Sequence, residues 1–209
     1  SVWIYLYDEA TKAWNKEASL GNIFVNQNDR GASVAIDGDR IAFGGEPIPV
    51  QPRPYEVYIA ELDNGTWTTQ NVRIKADNSG NDYSFGKSIA LRGDMLFVGA
   101  PDYGTTGAVY RKELVGDLGH GYLIYQEEIM VPTSGAAGSF GTSIALVDDM
   151  MVIGSPTSYD GSGLGYCYIY AEEDPAASSS DWSELKHFEA TGGLGTSVDF
   201  DGCQAIAGR

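Results

Sequence analysis

The chain has 209 residues, 43% hydrophobic and 11% aromatic, enough for a sizeable core; 27 glycines and 13 tyrosines favour short strands joined by tight turns. Thirteen basic against twenty-nine acidic residues give a formal charge of −16. That is a poor surface for nucleic acid or anionic lipid, whose phosphates need Lys and Arg. No apolar run is long enough to span a membrane as a helix.

In chain order, residues 1–20 (VWIYLYDEATKAWNKEASL after Ser1) read as two strands forming the second half of a unit. That unit then recurs. A loose copy begins at Gly31 (GASVAIDGDRIAFGG) and a full one at Phe85 (FGKSIALRGDMLFVGAPDYGTTGAVY). A second full copy begins at Phe140 (FGTSIALVDDMMVIGSPTSYDGSGLGYCY) and a last, loose one at Gly195 (GTSVDFDGCQAIAG). Gly31, Gly86, Gly141 and Gly195 lie 55, 55 and 54 residues apart, and Gly44, Gly99, Gly154 and Gly208 keep the same intervals. Two series in register mean one supersecondary unit stacked on copies of itself.

Within a unit the first strand is Gly86-Lys87-Ser88-Ile89-Ala90-Leu91, with large Ile89 and Leu91 on one face and small Ser88 and Ala90 on the other. A tight turn follows at Arg92-Gly93, a slot filled elsewhere by Asp37-Gly38, Val147-Asp148 and Asp201-Gly202. Met95-Leu96-Phe97-Val98 is apolar throughout and reads as a central strand, ended by Gly99-Ala100-Pro101. A variable loop leads to a third strand (Val57-Tyr58-Ile59, Val109-Tyr110, Tyr168-Ile169-Tyr170) and a fourth opening on Trp14, Trp67, Tyr122 or Trp182. Four antiparallel strands with both faces covered predict an all-β fold of β-propeller blades. The expected units are 28–76, 84–131 and 139–190, flanked by half blades at 1–20 and 193–209. The two halves could pair to close a four-bladed ring; the favoured expectation is a piece of a longer propeller, because the last copy stops after Gly208.

Phe85-Gly86, Gly99-Ala100-Pro101 and Gly107-Ala108-Val109-Tyr110 resemble the FG-GAP repeat of integrin α-subunit propellers and of many surface and secreted proteins. The resemblance covers nearly the whole chain and is strongest in the two full copies. Arg30 and Leu194 replace the Phe elsewhere, and Gly44-Gly45-Glu46 and Gly208-Arg209 lack Ala-Pro. It implies a propeller, usually of seven blades, extracellular or at the cell surface, that binds rather than catalyses. Integrin-type repeats often carry a Ca²⁺ loop between strands one and two. Here that connection is Leu91-Arg92-Gly93-Asp94-Met95; one carboxylate is far from the roughly six to eight oxygens Ca²⁺ takes. The expectation is therefore no metal and no cofactor, as in the metal-free variety of the repeat.

Several residues invite a sharper reading. Arg92-Gly93-Asp94 spells an integrin-ligand tripeptide, but its register is that of the hairpin turn. Gly86-x-Ser88-x-Ala90 mimics a hydrolase nucleophile elbow, yet recurs at Gly31-x-Ser33-x-Ala35 and Gly141-x-Ser143-x-Ala145, so its serines read as strand residues. His120 and His187 read as surface residues of variable outer segments. Asp77, Ser79, Asn81 and Asp82 alternate oxygens in a loop and read as a solvated turn rather than a cation site. Asn64-Gly65-Thr66 is a candidate N-glycosylation acceptor and also a good turn. Cys167 and Cys203 fall in neighbouring units and could form a disulfide; the alternative is a buried thiol at Cys167. The proline-rich stretch Glu46–Tyr55 reads as a rigid cap, with Arg53 and Tyr55 as a possible recognition surface.

The functional expectation is a non-enzymatic extracellular module of a surface, adhesion or matrix assembly, with proteins or glycans as partners, no nucleic acid and no membrane insertion. The alternative is a propeller enzyme or lectin-like domain with its site in the loops at one end.

Overall fold

The computed structural model describes residues 2–20, 30–45, 56–76, 84–115, 123–133, 137–158, 161–173 and 181–209. Among them all regular structure is β. β1 (Val2–Asp8) and β2 (Ala13–Leu20) form a hairpin. β3 (Arg30–Asp37), β4 (Arg40–Gly45), β5 (Glu56–Asp63) and β6 (Thr66–Ile74) form a four-stranded antiparallel sheet in chain order. β7 (Ile89–Arg92), β8 (Met95–Ala100), β9 (Ala108–Val115) and β10 (Leu123–Met130) form a second. Next come β11 (Ala137–Gly138), β12 (Ser143–Val147), β13 (Met150–Ser155), β14 (Thr157–Ser158), β15 (Leu164–Glu172) and β16 (Trp182–Thr191). Of these β12, β13, β15 and β16 make the third such sheet, and β11 pairs with β14. A second hairpin, β17 (Ser197–Phe200) and β18 (Ala205–Gly208), ends the series.

The sheets stack in chain order, an arrangement that in coarse outline is propeller-like. Ile89 and Leu91 of the second sheet join Val57, Ile59 and Ile74 of the first in one core, while Ala90 faces Ile153, Tyr166 and Tyr168 of the third. Large side chains of strand one thus face the preceding sheet and small ones the following sheet. Val2 and Ile4 of the first hairpin pack on Phe43 and Tyr58, and Phe200 of the last on Val152 and Cys167. Phe85 and Phe140 are fully buried, edge-on to Tyr110 (5.2 Å, 81°) and Tyr168 (5.3 Å, 80°). Each such phenylalanine contributes about 1.5–3 kcal/mol by burial, plus roughly 0.5–1.5 from the ring pair.

The two glycine series have different tasks. Gly86, Gly141 and Gly195 lie in turns before strand one rather than opening it, with φ of +92°, +90° and +93°. There only glycine sits without steric cost. The turn aims each glycine carbonyl at the preceding sheet. Ser33 Oγ donates to Gly86 O (2.6 Å), Ser88 Oγ to Gly141 O (2.7 Å) and Ser143 Oγ to Gly195 O (2.9 Å). Gly44, Gly99 and Gly154 lie under that bond, where a β-carbon would run into both the hydroxyl and the carbonyl. Packing therefore explains Gly44, Gly99 and Gly154, and a left-handed turn Gly86, Gly141 and Gly195; Gly31 lies within β3 instead. The strand-two glycine carbonyl also accepts two N–H groups of the turn in its own sheet: Gly99 O from Gly86 (3.0 Å) and Lys87 (3.3 Å), Gly154 O from Gly141 (3.1 Å) and Thr142 (3.2 Å).

Candidate functional site

At one end of the stack lie the turns between strands one and two. Asp39, Asp94 and Asp149 share a slot, and it is the backbone carbonyl that works alike in all three. It accepts N–H from Leu62 (2.8 Å), Leu114 (2.7 Å) and Glu172 (2.9 Å), extending the ladder to strand three. The side chains instead tie each turn to the next. Asp37 Oδ2 accepts the Gly93 N–H (2.5 Å), and Arg40 donates to Gly93 O (2.9 Å), Asp94 Oδ1 (2.7 Å) and Glu61 Oε1 (2.8 Å). Burial works against the Arg40 charge, but the bonds to Asp94 and Glu61 outweigh it and hold its pKa above the ordinary value. Arg92 donates to Asp148 O and pairs with Glu172 (2.5 Å). Both charged members of Arg92-Gly93-Asp94 are thus engaged between sheets. These turns line an open depression of about 330 Å³ holding Asp37, Asp39, Arg40, Glu61 and Asp94. Among the described residues no group of three or more His, Cys, Asp or Glu is placed to hold a metal ion.

At the opposite end the turns before strand one meet the loops after strand two. Ser84, Lys87, Pro101 and Asp102 of the second unit and Ser139, Thr142 and Pro156 of the third line a depression of about 280 Å³. Ser84 and Ser139, Lys87 and Thr142, and Pro101 and Pro156 are equivalent positions 55 residues apart. Ser84 Oγ accepts the Asp102 N–H (2.9 Å), and Ser139 Oγ lies 3.0 Å from Thr157 Oγ1. Lys87 and Asp102 are exposed. One ammonium, one carboxylate and several hydroxyls can hydrogen-bond a polar ligand.

A third polar cluster, which no sequence motif marks, lies between the second and third sheets. His187 is half-buried against the rings of Tyr168 (5.5 Å) and Tyr166 (6.1 Å), not on an open surface, and its Nδ1 lies 3.1 Å from Glu184 Oε1. Glu184 Oε2 accepts from Thr133 Oγ1 (2.9 Å). A nucleophilic relay needs the imidazole between hydroxyl and carboxylate. Here the carboxylate is in the middle, so this hydroxyl receives no help from this imidazole. The cluster instead ties the segment after β10 to β16. Beside it Tyr170 Oη and Trp182 Nε1 are buried without a hydrogen-bond partner among the described residues; burial, reinforced by the Glu184 charge, pushes the Tyr170 pKa up.

Ser33, Ser88 and Ser143 are the donors between sheets described above, structural in all three copies. Asn64 (φ +48°) and Gly65 (φ +77°) form the exposed two-residue turn between β5 and β6, with Asn64 Nδ2 donating to Asp63. Cys167 is buried and Cys203 exposed, and both are free thiols. Burial pushes the Cys167 pKa up to about 11. Glu46–Tyr55, Asp77, Ser79, Asn81, Asp82, His120 and Tyr122 lie outside the described residues. No helix among the described residues is long and apolar enough to cross a membrane. No protein-family model matches the chain, and no curated protein does.

Proposed function

We propose that the chain is a non-enzymatic binding module of an extracellular or cell-surface assembly. Its four-stranded sheets are blades of an FG-GAP-type propeller, and its ligand surface is the end where the turns before strand one meet the loops after strand two. The observation that carries this reading is the depression built from equivalent positions of consecutive units: Ser84 with Ser139, Lys87 with Thr142, Pro101 with Pro156. A catalytic site is a single break in a repeat, whereas a surface assembled from the repeat itself suits an extended polar partner, a protein segment or a glycan.

The test is binding of the purified chain to arrays of glycans and immobilised matrix proteins. Lys87→Glu with Asp102→Lys abolishes capture without moving the melting temperature, and Asp39→Lys at the other end leaves capture intact. Loss of capture in Asp39→Lys alone, or catalytic turnover retained by the loop-end variant, refutes the assignment. Passage through a eukaryotic secretory pathway adds glycan mass at Asn64, removed by Thr66→Ala, which spares the Asn-Gly turn.

A further inference from the structure

The depression between the second and third units offers side-chain hydroxyls more than backbone. Carbonyls bordering it are engaged within the turns. Ser84 O accepts the Lys87 N–H (3.0 Å), Ala100 O the Tyr103 N–H (3.0 Å), and Ser139 O both the N–H (3.2 Å) and the hydroxyl (2.7 Å) of Thr142. Gly138 O takes the hydroxyl protons of Ser155 (2.8 Å) and Thr157 (2.8 Å). A peptide held by main-chain pairing needs such groups unspent.

Each hydroxyl has one proton to give. Thr157 gives its own to Gly138 O, so in the 3.0 Å contact between Ser139 Oγ and Thr157 Oγ1 the donor is Ser139. Ser139 Oγ keeps its lone pairs and stands at the depression as an acceptor. Ser84, 5% exposed, has the complementary arrangement. Its Oγ accepts the Asp102 N–H (2.9 Å), and its proton has no acceptor among the described residues. Lys87 and Asp102 add one charge of each sign, so the depression is neutral in a chain of formal charge −16.

Ser139 also stands against local backbone preference. Its φ is +66°, in the left-handed region where a β-carbon is costly, and the equivalent residue of the last unit is Gly193, φ +83°. Glycine can therefore make this turn. The carbonyl that Ser139 reaches through Thr157 already has a second donor in Ser155. The fold has little use for the Ser139 hydroxyl; the depression that it lines does.

We propose that this depression takes one sugar ring of an uncharged glycan and that Ser139 is kept for that ligand. Its volume of about 280 Å³ lies just below the usual range of about 300–1,000 Å³ for small-molecule pockets, which suits a single ring. A sugar hydroxyl donates and accepts at once. One ring can give protons to Ser139 Oγ and the Asp102 carboxylate and take one from Ser84. The proposal rests on the binding function proposed above and narrows its partners to one class.

Capture of the purified chain on arrayed neutral glycans, their sialylated and sulfated counterparts, and matrix-protein peptides tests this. Neutral glycans capture the wild type. Ser139→Gly, which installs the residue of the last unit, melts no lower than the wild type, and its glycan affinity falls about fivefold or more, the worth of one hydrogen bond. Ser139→Ala, which keeps the left-handed β-carbon, loses as much affinity. Either variant binding glycan as the wild type does overturns the role of Ser139. So does a lowered melting temperature in both, which would mark the hydroxyl as structural. Preference for charged glycans, or capture by peptides alone, overturns the uncharged-glycan assignment and leaves the binding module standing; capture by nothing refutes both.

Discussion

Replacing Gly44 by alanine tests the lock between sheets directly. A β-carbon there would lie 2.6 Å from Gly86 O, 2.6 Å from Ser33 Oγ and 3.3 Å from Ile89 Cδ1. Ordinary contact starts at 3.4 Å, so the second sheet or the serine must retreat by about 0.8 Å. Overpacking of this kind costs about 1–3 kcal/mol. If the Ser33 hydroxyl gives way, its bond to Gly86 O adds roughly 0.5–1.5. The expected loss is about 2–3 kcal/mol, a fall in melting temperature of roughly 4–12 °C for a chain of this length. Gly38→Ala is the control: φ is +54° with nothing within 4 Å, so it carries left-handed strain alone, about 1 kcal/mol. Gly99→Ala, whose β-carbon meets Gly141 O and Ser88 Oγ more closely still, costs more than Gly44→Ala. Urea melts of the three variants give the ranking. Ser33→Ala with Gly44→Ala loses less than the two single changes together, because they share one bond. Gly44→Ala no worse than Gly38→Ala would refute the reasoning.

Three further outcomes are expected. Arg40→Ala removes the cation facing Glu61, whose side chain is 12% exposed, and lowers stability by about 1–3 kcal/mol. Asp94→Asn, at a carboxylate 67% exposed, costs less than about 1, and a chelator leaves both melts unmoved; equal losses in the two variants contradict this. Cys167 keeps its proton to about pH 11 in the folded chain against about 9 when unfolded. Stability from this group is therefore whole below pH 9 and falls as pH rises toward 11, and a thiol reagent at pH 8 labels Cys203 well before Cys167. Tyr170→Phe leaves melting unchanged or raised, since it removes a buried hydroxyl without a partner among the described residues; a loss above about 1 kcal/mol would mean that the hydroxyl is satisfied.

The four-stranded unit was legible in the sequence, because every copy solves one packing problem with the same residue types at the same spacing. Alternation of Ile89 and Leu91 with Ser88 and Ala90, and the Asn64-Gly65 turn, follow from local backbone geometry that neighbours in sequence specify. The spacing of Gly44, Gly99 and Gly154 showed that glycine mattered there. Which atoms exclude it is a distance between two sheets, Gly86 O over Gly44, and no local pattern encodes that. The Glu184–His187 pair shows the same limit. Tyr170 faces Glu184 and Tyr168 faces His187, two residues apart on β15 but three apart on β16, because β16 bulges between them. A strict two-residue period puts Glu184 and His187 on opposite faces. Likewise the repeat register assigns Arg92-Gly93-Asp94 to a hairpin turn, but only the stacked sheets bring Asp148, Glu172 and Arg40 to its ends. Repetition reveals the unit; the contacts between units depend on how rigid sheets stack, where one residue of bulge or an ångström of separation changes the partner.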